Sequence, residues 1–149
     1  MKKLLFLLII PVCLFSCKKS SVDQALIDHE TILKYIKDSS LVADSTASGL
    51  YYVIADSGVG VYPNSLSYVT IYYKGYLTNG TIFDQTAGAP ASLLLNQVIP
   101  GWTEGMQKIR KGGKIKLLIP SALGYGSTTH GEIPANSVLI FDIQLVNFQ

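Results

Sequence analysis

The side chains best suited to chemistry in this chain are aromatic and aliphatic groups set beside polar residues and glycines. Phe83 precedes Asp84, Trp102 is the one tryptophan, and Tyr125 stands between two glycines. The sequence contains no G-x-S-x-G elbow that would present a serine nucleophile. Its Gly-x-Gly pairs lack the third glycine of a dinucleotide-binding turn. These residue types favour an apolar groove that binds a ligand, and they predict no cofactor.

Charge and metal-ligand spacing narrow the classes of function further. The two histidines, His29 and His130, lie far apart in the sequence, and the carboxylates are scattered, so no metal site is predicted. Of twelve Lys and Arg residues, Lys2 and Lys3 fall in the first residues, which leaves ten against ten Asp and Glu. A nearly neutral chain argues against a nucleic-acid binder, whose affinity depends on excess positive charge.

Period-two alternation from residue 50 onward predicts the strands that must position these side chains. The Asn79-Gly80 pair is typical of a tight hairpin turn. One short helix is predicted where Trp102, Met106 and Ile109 recur at helical spacing before Gly112. The fold class is therefore α+β, an antiparallel sheet packed on one helix. The predicted strands cover residues 50–54, 67–77, 81–83, 92–95, 114–120 and 138–148.

An N-terminal helical arm is predicted ahead of this domain. Residues 21–37 place apolar side chains along one stripe at the helical period, and Ser21 and Gln24 are spaced as a capping box. Residues 38–49 are rich in Ser, Asp, Thr and Ala and are interpreted as a linker. The helix could dock on the domain or pair with another copy, and His29 on its stripe is expected to be packed or half exposed.

The first residues predict an export signal. Residues 4–15 form an apolar run after Met1-Lys2-Lys3, and as a helix this run rises about 18 Å, less than the ~30 Å hydrocarbon core of a bilayer. Leu14-Phe15-Ser16-Cys17 resembles the lipobox of bacterial lipoproteins. The predicted division is a lipoprotein signal peptide at 1–16, a lipidated Cys17 with helical arm and linker at 17–48, and the globular domain at 49–149. The alternative is a plain secretory signal with Cys17 incidental.

Five segments of the globular domain together resemble the FKBP-type peptidyl-prolyl cis–trans isomerases. The resemblance covers residues 49–149 and implies a five- to six-stranded antiparallel sheet wrapped on one short helix, with an N-terminal helical extension outside the match. The matching segments are Val69-Thr70-Ile71-Tyr72-Tyr73-Lys74-Gly75, Gly80-Thr81-Ile82-Phe83-Asp84, Val98-Ile99-Pro100-Gly101-Trp102-Thr103-Glu104-Gly105, Ile119-Pro120 with Gly124-Tyr125-Gly126, and Ile133-Pro134-Ala135-Asn136-Ser137 leading to Leu139-Ile140-Phe141-Asp142.

The resemblance also implies which residues act. Trp102 matches the floor of the family's groove, Tyr125 the donor to a substrate carbonyl, and Asp84 an acidic residue that helps to position that carbonyl. His130 matches a histidine that some members carry on the lip of the groove. The substrate-binding walls match Tyr73, Phe83, Val98, Ile99, Ile133 and Phe141.

Two positions depart from the family pattern. Family members often carry a phenylalanine in the strand before Val98, where this chain has Leu93 as the substitute. The loop 85–91 lacks the basic residue that some members pair with the acidic one, which predicts a less constrained Asp84. The change to Leu93 bears on the family's macrolide inhibitors, which the resemblance implies as further ligands, and on the preference for bulky residues before proline.

The implied reaction needs no nucleophile, metal or cofactor. An X-Pro bond has a barrier of ~18–20 kcal/mol because the amide is resonance-stabilised, and the twisted bond at the top of that barrier is less dipolar than the planar one. An apolar groove favours the twisted state and adds differential binding of the prolyl ring. The predicted partners are X-Pro polypeptides and, through acyl groups on Cys17, a membrane of the bacterial cell envelope, outside the cytoplasm.

Two other classes of function remain open from the sequence. The missing strand aromatic and the unpaired Asp84 are compatible with a non-catalytic peptide-binding or chaperone module on the same fold. A basic cluster could instead make the chain an anchoring or adhesion protein, although a solvated face is the simpler interpretation. The basic cluster consists of Lys108, Arg110, Lys111, Lys114 and Lys116.

Overall fold

The computed structural model describes the backbone of residues 21–149 and the side chains from residue 23 onward. The predicted signal peptide, Cys17 and the Ser21 side chain of the capping box lie outside these described parts. The elements in chain order are α1 (Ser21–Asp38), β1 (Asp44–Ser45), β2 (Tyr51–Asp56), β3 (Tyr68–Leu77), β4 (Ile82–Gln85), β5 (Ala91–Leu94), α2 (Pro100–Met106), β6 (Lys114–Ile119) and β7 (Leu139–Phe148).

The strands form one antiparallel sheet in the order β1-β2-β6-β7-β3-β4, and β5 pairs with β3. This architecture confirms the predicted α+β fold with one helix inserted late and an N-terminal helix. The sheet has seven strands rather than five or six because the two-residue β1, in the segment interpreted as a linker, pairs with the start of β2. That segment is tied to α2 as well, since the Ser48 hydroxyl donates to the Glu104 carboxylate at 2.6 Å.

The main core lies between one face of the sheet and α2. Alternate side chains of the central strands enter it, which is the period-two pattern of a sheet with one apolar face. Gly101 and Gly105 bring α2 close to β6, because a Cβ built on either residue would lie 2.5–2.6 Å from Ile119 or Leu117. The buried strand residues on this face are Val69, Ile71, Ile115, Leu117, Ile119, Leu139, Phe141, Ile143 and Leu145.

Helix α1 docks on the domain, which answers one of the alternatives that the sequence left open. Ile32 is fully buried and forms a second apolar cluster with Leu118 and Val138, flanked by Tyr35 and Tyr51. Leu118 falls on the face of β6 that also carries lysines, so the strand pattern alone does not predict its burial. In the described residues 21–149 no helix is long and apolar enough to cross a membrane.

Candidate active site

A cavity of about 490 Å³ is lined by residues from β3, β4, β5, α2, β7 and two loops. The eleven site residues predicted from the sequence all line it, although they come from segments separated by up to sixty-eight positions of chain. They are Tyr73, Phe83, Asp84, Leu93, Val98, Ile99, Trp102, Tyr125, His130, Ile133 and Phe141. The structure thus brings together every one of these side chains at a single cavity.

Trp102 forms the floor of the cavity and is 4% exposed. Pro100 starts α2, and the Trp102 amide donates to the Ile99 carbonyl at 2.9 Å, so the indole sits in the first turn of the helix. Its ring makes edge-to-face contacts with Tyr73 (5.2 Å between centroids) and with Phe141 (5.0 Å). These contacts hold the indole in one orientation and make an aromatic base.

The indole Nε1–H of Trp102 has no hydrogen-bond partner, and it is the one buried side-chain polar atom in the described part of the chain for which this is so. A buried unsatisfied donor costs about 1–3 kcal/mol.

Asp84 and Tyr73 form a hydrogen-bonded pair at the cavity edge. Asp84 lies opposite Gly75 in the β3–β4 register, and the Tyr73 hydroxyl donates to the Asp84 Oδ2 at 2.6 Å. A phenol therefore replaces the basic partner that the sequence lacks, which corrects the prediction of a less constrained Asp84. Burial, followed by this hydrogen bond and the charge of Asp84, raises the pKa of Tyr73 to about 12.

Tyr125 comes from the turn that follows the 3₁₀ helix Ser121–Leu123. Its ring stacks on His130 with centroids 4.1 Å apart and planes within 5° of parallel. Burial, and then the negative charge of Asp84, raise the pKa of the Tyr125 hydroxyl. The hydroxyl is therefore a protonated donor at neutral pH, which is the state that a hydrogen bond to a carbonyl requires.

The remaining walls are apolar. Ile133 is buried and is held by paired backbone hydrogen bonds with His130 (2.9 and 3.0 Å), which closes the loop that carries both residues. Phe83 contacts Phe141 edge to face at 5.5 Å. Leu93 lines the cavity from β5, where it pairs with Val69.

Three lining residues were not predicted from the sequence: Gln97, Gly131 and Glu132. Each is next to a predicted residue or one position from it, so proximity in the sequence was the available signal. The residue types gave no signal, because exposed glutamine, glycine and glutamate residues are common on protein surfaces. The side chains of Gln97 and Glu132 add polar groups to the lining, whereas the floor is aromatic.

The arrangement suits binding and desolvation rather than covalent chemistry. The lining residues include two carboxylates, two tyrosines and one histidine, and no serine or cysteine nucleophile. Within the described residues no group of three or more His, Cys, Asp or Glu side chains is placed to hold a metal ion. A bound peptide would meet apolar walls, an aromatic floor and the Tyr125 donor.

Comparisons with known proteins agree with the geometry. The family model for the FKBP-type peptidyl-prolyl cis-trans isomerase matches residues 60–146. The chain is 45% identical over 134 residues to the FKBP-type peptidyl-prolyl cis-trans isomerase FkpA of Buchnera aphidicola subsp. Schizaphis graminum, covering 88% of this chain and 53% of the relative. It is 42% identical to FkpA of Escherichia coli K12 over 132 residues, covering 87% of this chain and 48% of the relative.

Solved structures with a similar fold include members of the same family. The crystal structure of FkpA from Escherichia coli superimposes with a TM-score of 0.76 at 40% identity, covering 86% of this chain and 60% of that chain. A peptidyl-prolyl cis-trans isomerase from Pseudomonas syringae pv. tomato gives a TM-score of 0.75 at 27% identity, covering 87% of this chain and 96% of that chain. The chain spans about half the length of the curated relatives it matches.

Proposed function

Because the chain belongs to the family of FKBP-type peptidyl-prolyl cis-trans isomerases, we propose that it accelerates cis–trans isomerisation of X-Pro bonds in exported polypeptides. The observation that carries this proposal is the convergence of all eleven predicted residues on one aromatic-floored cavity. Uncatalysed prolyl isomerisation takes tens of seconds at 25 °C and can limit folding.

The proposed mechanism is differential binding of the twisted amide. The prolyl ring lies on the face of Trp102, and apolar walls replace water around the rotating C–N bond. Removal of water disfavours the planar, more dipolar amide relative to the twisted one. Lowering a barrier of ~18–20 kcal/mol in this way requires no bond to the enzyme.

The polar groups have orienting roles in this proposal. The Tyr125 hydroxyl donates a hydrogen bond to a substrate carbonyl, and His130 holds the tyrosine ring by stacking. Asp84, fixed by Tyr73, positions the carbonyl through its charge. Asp84 is not a general base, because no proton is transferred in the reaction.

The test is isomerisation of a short X-Pro peptide, followed by cleavage with a protease that accepts only the trans form. We expect wild type to exceed the uncatalysed rate, Trp102→Ala to lose about tenfold or more in kcat/KM, and Tyr125→Phe to lose about 2- to 10-fold, as one hydrogen bond implies. Tyr62→Phe is the matched control, because Tyr62 is exposed, lies against Arg110 and does not line the cavity. A wild-type rate equal to that of buffer would refute the proposal.

The alternative function, a non-catalytic chaperone module, can be tested with the same wild-type protein and variants. It predicts suppression of client aggregation that survives both Tyr125→Phe and Asp84→Ala, together with a wild-type rate no faster than buffer. The hydrogen bond from Tyr73 removes one of its two motivations, because Asp84 is partnered. The other motivation, Leu93 in place of an aromatic residue, still stands. The same change bears on binding of the family's macrolide inhibitors, which we include among the proposed ligands of the groove.

Lipid anchoring of Cys17 in the bacterial cell envelope is a further part of the proposal. It is supported by the sequence Leu14-Phe15-Ser16-Cys17 and by the short apolar run that precedes it. Acyl chains would anchor the chain at ~0.8 kcal/mol per buried methylene. We expect Cys17→Ser to abolish labelling by radioactive palmitate and to shift the protein from the detergent phase to the aqueous phase. Cys13→Ser is the matched control and should keep both properties; label that persists in Cys17→Ser would contradict the assignment.

A further inference from the structure

Helix α1 carries a carboxylate that the proposed mechanism does not use. Asp28 is 2% exposed, and among the described residues it is the one charged side chain that is buried. A buried carboxylate is costly unless hydrogen bonds compensate it. The apolar cluster around Ile32 already docks the helix, so docking by itself does not require a charge at this position.

Each oxygen of this carboxylate accepts hydrogen bonds. Asp28 Oδ2 accepts from the Ser121 amide at 2.8 Å and from the Ser121 hydroxyl at 2.6 Å. Asp28 Oδ1 accepts from the Gln24 side-chain amide at 2.7 Å, one turn earlier on α1. These three hydrogen bonds satisfy both oxygens of the buried side chain and fix Ser121 relative to α1.

Ser121 is also the residue on which the Tyr125 turn closes. The Ser121 carbonyl accepts from the Gly124 amide at 2.9 Å and from the Gly126 amide at 2.8 Å. Tyr125 lies between these two donors, so its backbone position is set by the position of Ser121. The Gly126 carbonyl in turn accepts from the Asn136 amide at 2.8 Å, which ties the turn to the far end of the groove loop.

We propose that Asp28 is a positioning residue for Tyr125, so that the N-terminal helix supports the active site through the contact Asp28–Ser121. The proposal rests on the proposed function, in which the Tyr125 hydroxyl orients the substrate. It extends the catalytic unit beyond the segment 60–146 that the family model covers. A 1 Å displacement of an orienting group can cost up to about 10²-fold in rate, so support of this turn has a kinetic consequence.

The kinetic test compares variants in two backgrounds. Asp28→Ala is expected to lower kcat/KM in the wild-type background by nearly as much as Tyr125→Phe does, up to about tenfold, and to add less than about a twofold loss in the Tyr125→Phe background. A merely structural role of Asp28 would lower the rate equally in both backgrounds, and that result would overturn the proposal. Asp38→Ala is the matched control on the same helix, because Asp38 is exposed and its hydrogen-bond partner is Lys34.

Gentler variants keep the test decisive if Asp28→Ala does not fold. Asp28→Asn keeps the shape and one acceptor oxygen, so it should recover part of the rate, and Ser121→Ala removes one of the two hydrogen bonds to Ser121. Isomerisation rates are compared at a temperature at which each variant is folded in the absence of urea, as a separate urea denaturation curve shows. Folded variants that leave kcat/KM unchanged would overturn the proposal.

A second readout does not depend on turnover. The stack of Tyr125 on His130 shifts the proton resonances of the imidazole, and Asp28→Ala is expected to reduce that shift while Asp38→Ala leaves it unchanged. A wild-type protein without isomerase activity would refute the proposed function, and this resonance would still decide whether Asp28 positions the turn. An unchanged shift in Asp28→Ala would refute the positioning.

Discussion

The tyrosines of the groove are held as neutral donors by their surroundings. Burial and the nearby Asp84 charge both disfavour the phenolate, which raises the pKa of Tyr73 to about 12 and also raises the pKa of Tyr125. The same carboxylate therefore accepts one hydrogen bond and keeps a second hydroxyl protonated. The groove keeps these donors throughout the physiological range of pH.

The raised pKa of Tyr73 predicts a loss of stability in alkali. The unfolded tyrosine ionises near pH 10, whereas folded Tyr73 ionises near pH 12, so its contribution is complete below pH 10 and is lost between pH 10 and pH 12. Urea unfolding from pH 8 to pH 12 measures this loss. We expect Tyr73→Phe to unfold with a shallower pH dependence than wild type in that window, and identical slopes would contradict the assignment.

At the scale of elements, docking of α1 depends on one side of the helix. Ile32 is fully buried against Leu118 and Val138, whereas the adjacent Leu33 is 45% exposed. The helical period places these neighbours about 100° apart, so one enters the interface and the other faces outward. The docked face is the one that also carries Asp28.

This pair of neighbours gives a prediction for the helix. Ile32→Ala is expected to lower the free energy of unfolding by about 2–4 kcal/mol, because it leaves a cavity in a buried cluster. Leu33→Ala, the matched control, should change it by less than about 1 kcal/mol because much of the side chain is already in water. Urea denaturation of both variants is the measurement. Equal losses would show that α1 does not dock through the Ile32 side.

At the scale of the whole molecule, the fold divides the basic cluster instead of presenting it as one surface. Lys108 lies over the Tyr52 ring at 4.7 Å and Arg110 over Tyr62 at 5.2 Å. Lys116 bonds to Asp142. Three of the five cationic side chains thus make contacts within the domain, which favours a solvated face over an adhesion site.

The two exposed cluster residues, Lys111 and Lys114, provide the test. They lie outside the cavity, so the variant Lys111→Glu/Lys114→Glu is expected to keep kcat/KM within about twofold of wild type and stability within about 1 kcal/mol. The same variant is assayed for binding to anionic surfaces. A loss of binding with unchanged isomerisation would instead support the adhesion alternative.

The sequence by itself determined the architecture and the membership of the groove. Alternation along 67–77 and 138–148 and the Asn79-Gly80 turn placed β3 and β7, whereas the eleven lining residues were implied by the resemblance of five short motifs to a known family. The strands depend on neighbours along the chain, because a strand presents alternate side chains to one face whatever it pairs with. The strand boundaries differ by one or two residues, as at β6, which ends at Ile119, whereas α2 ends at Met106, before the predicted Ile109.

Only the tertiary structure decided the contacts between distant segments. The bond from Tyr73 to Asp84 follows from the β3–β4 register, and the burial of Leu118 follows from the docking of α1. The Asp28–Ser121 contact joins residues 93 positions apart and has no signature in either local segment. The physical reason is that periodicity fixes which face a side chain takes, whereas its partner on that face is set by how separate elements pack.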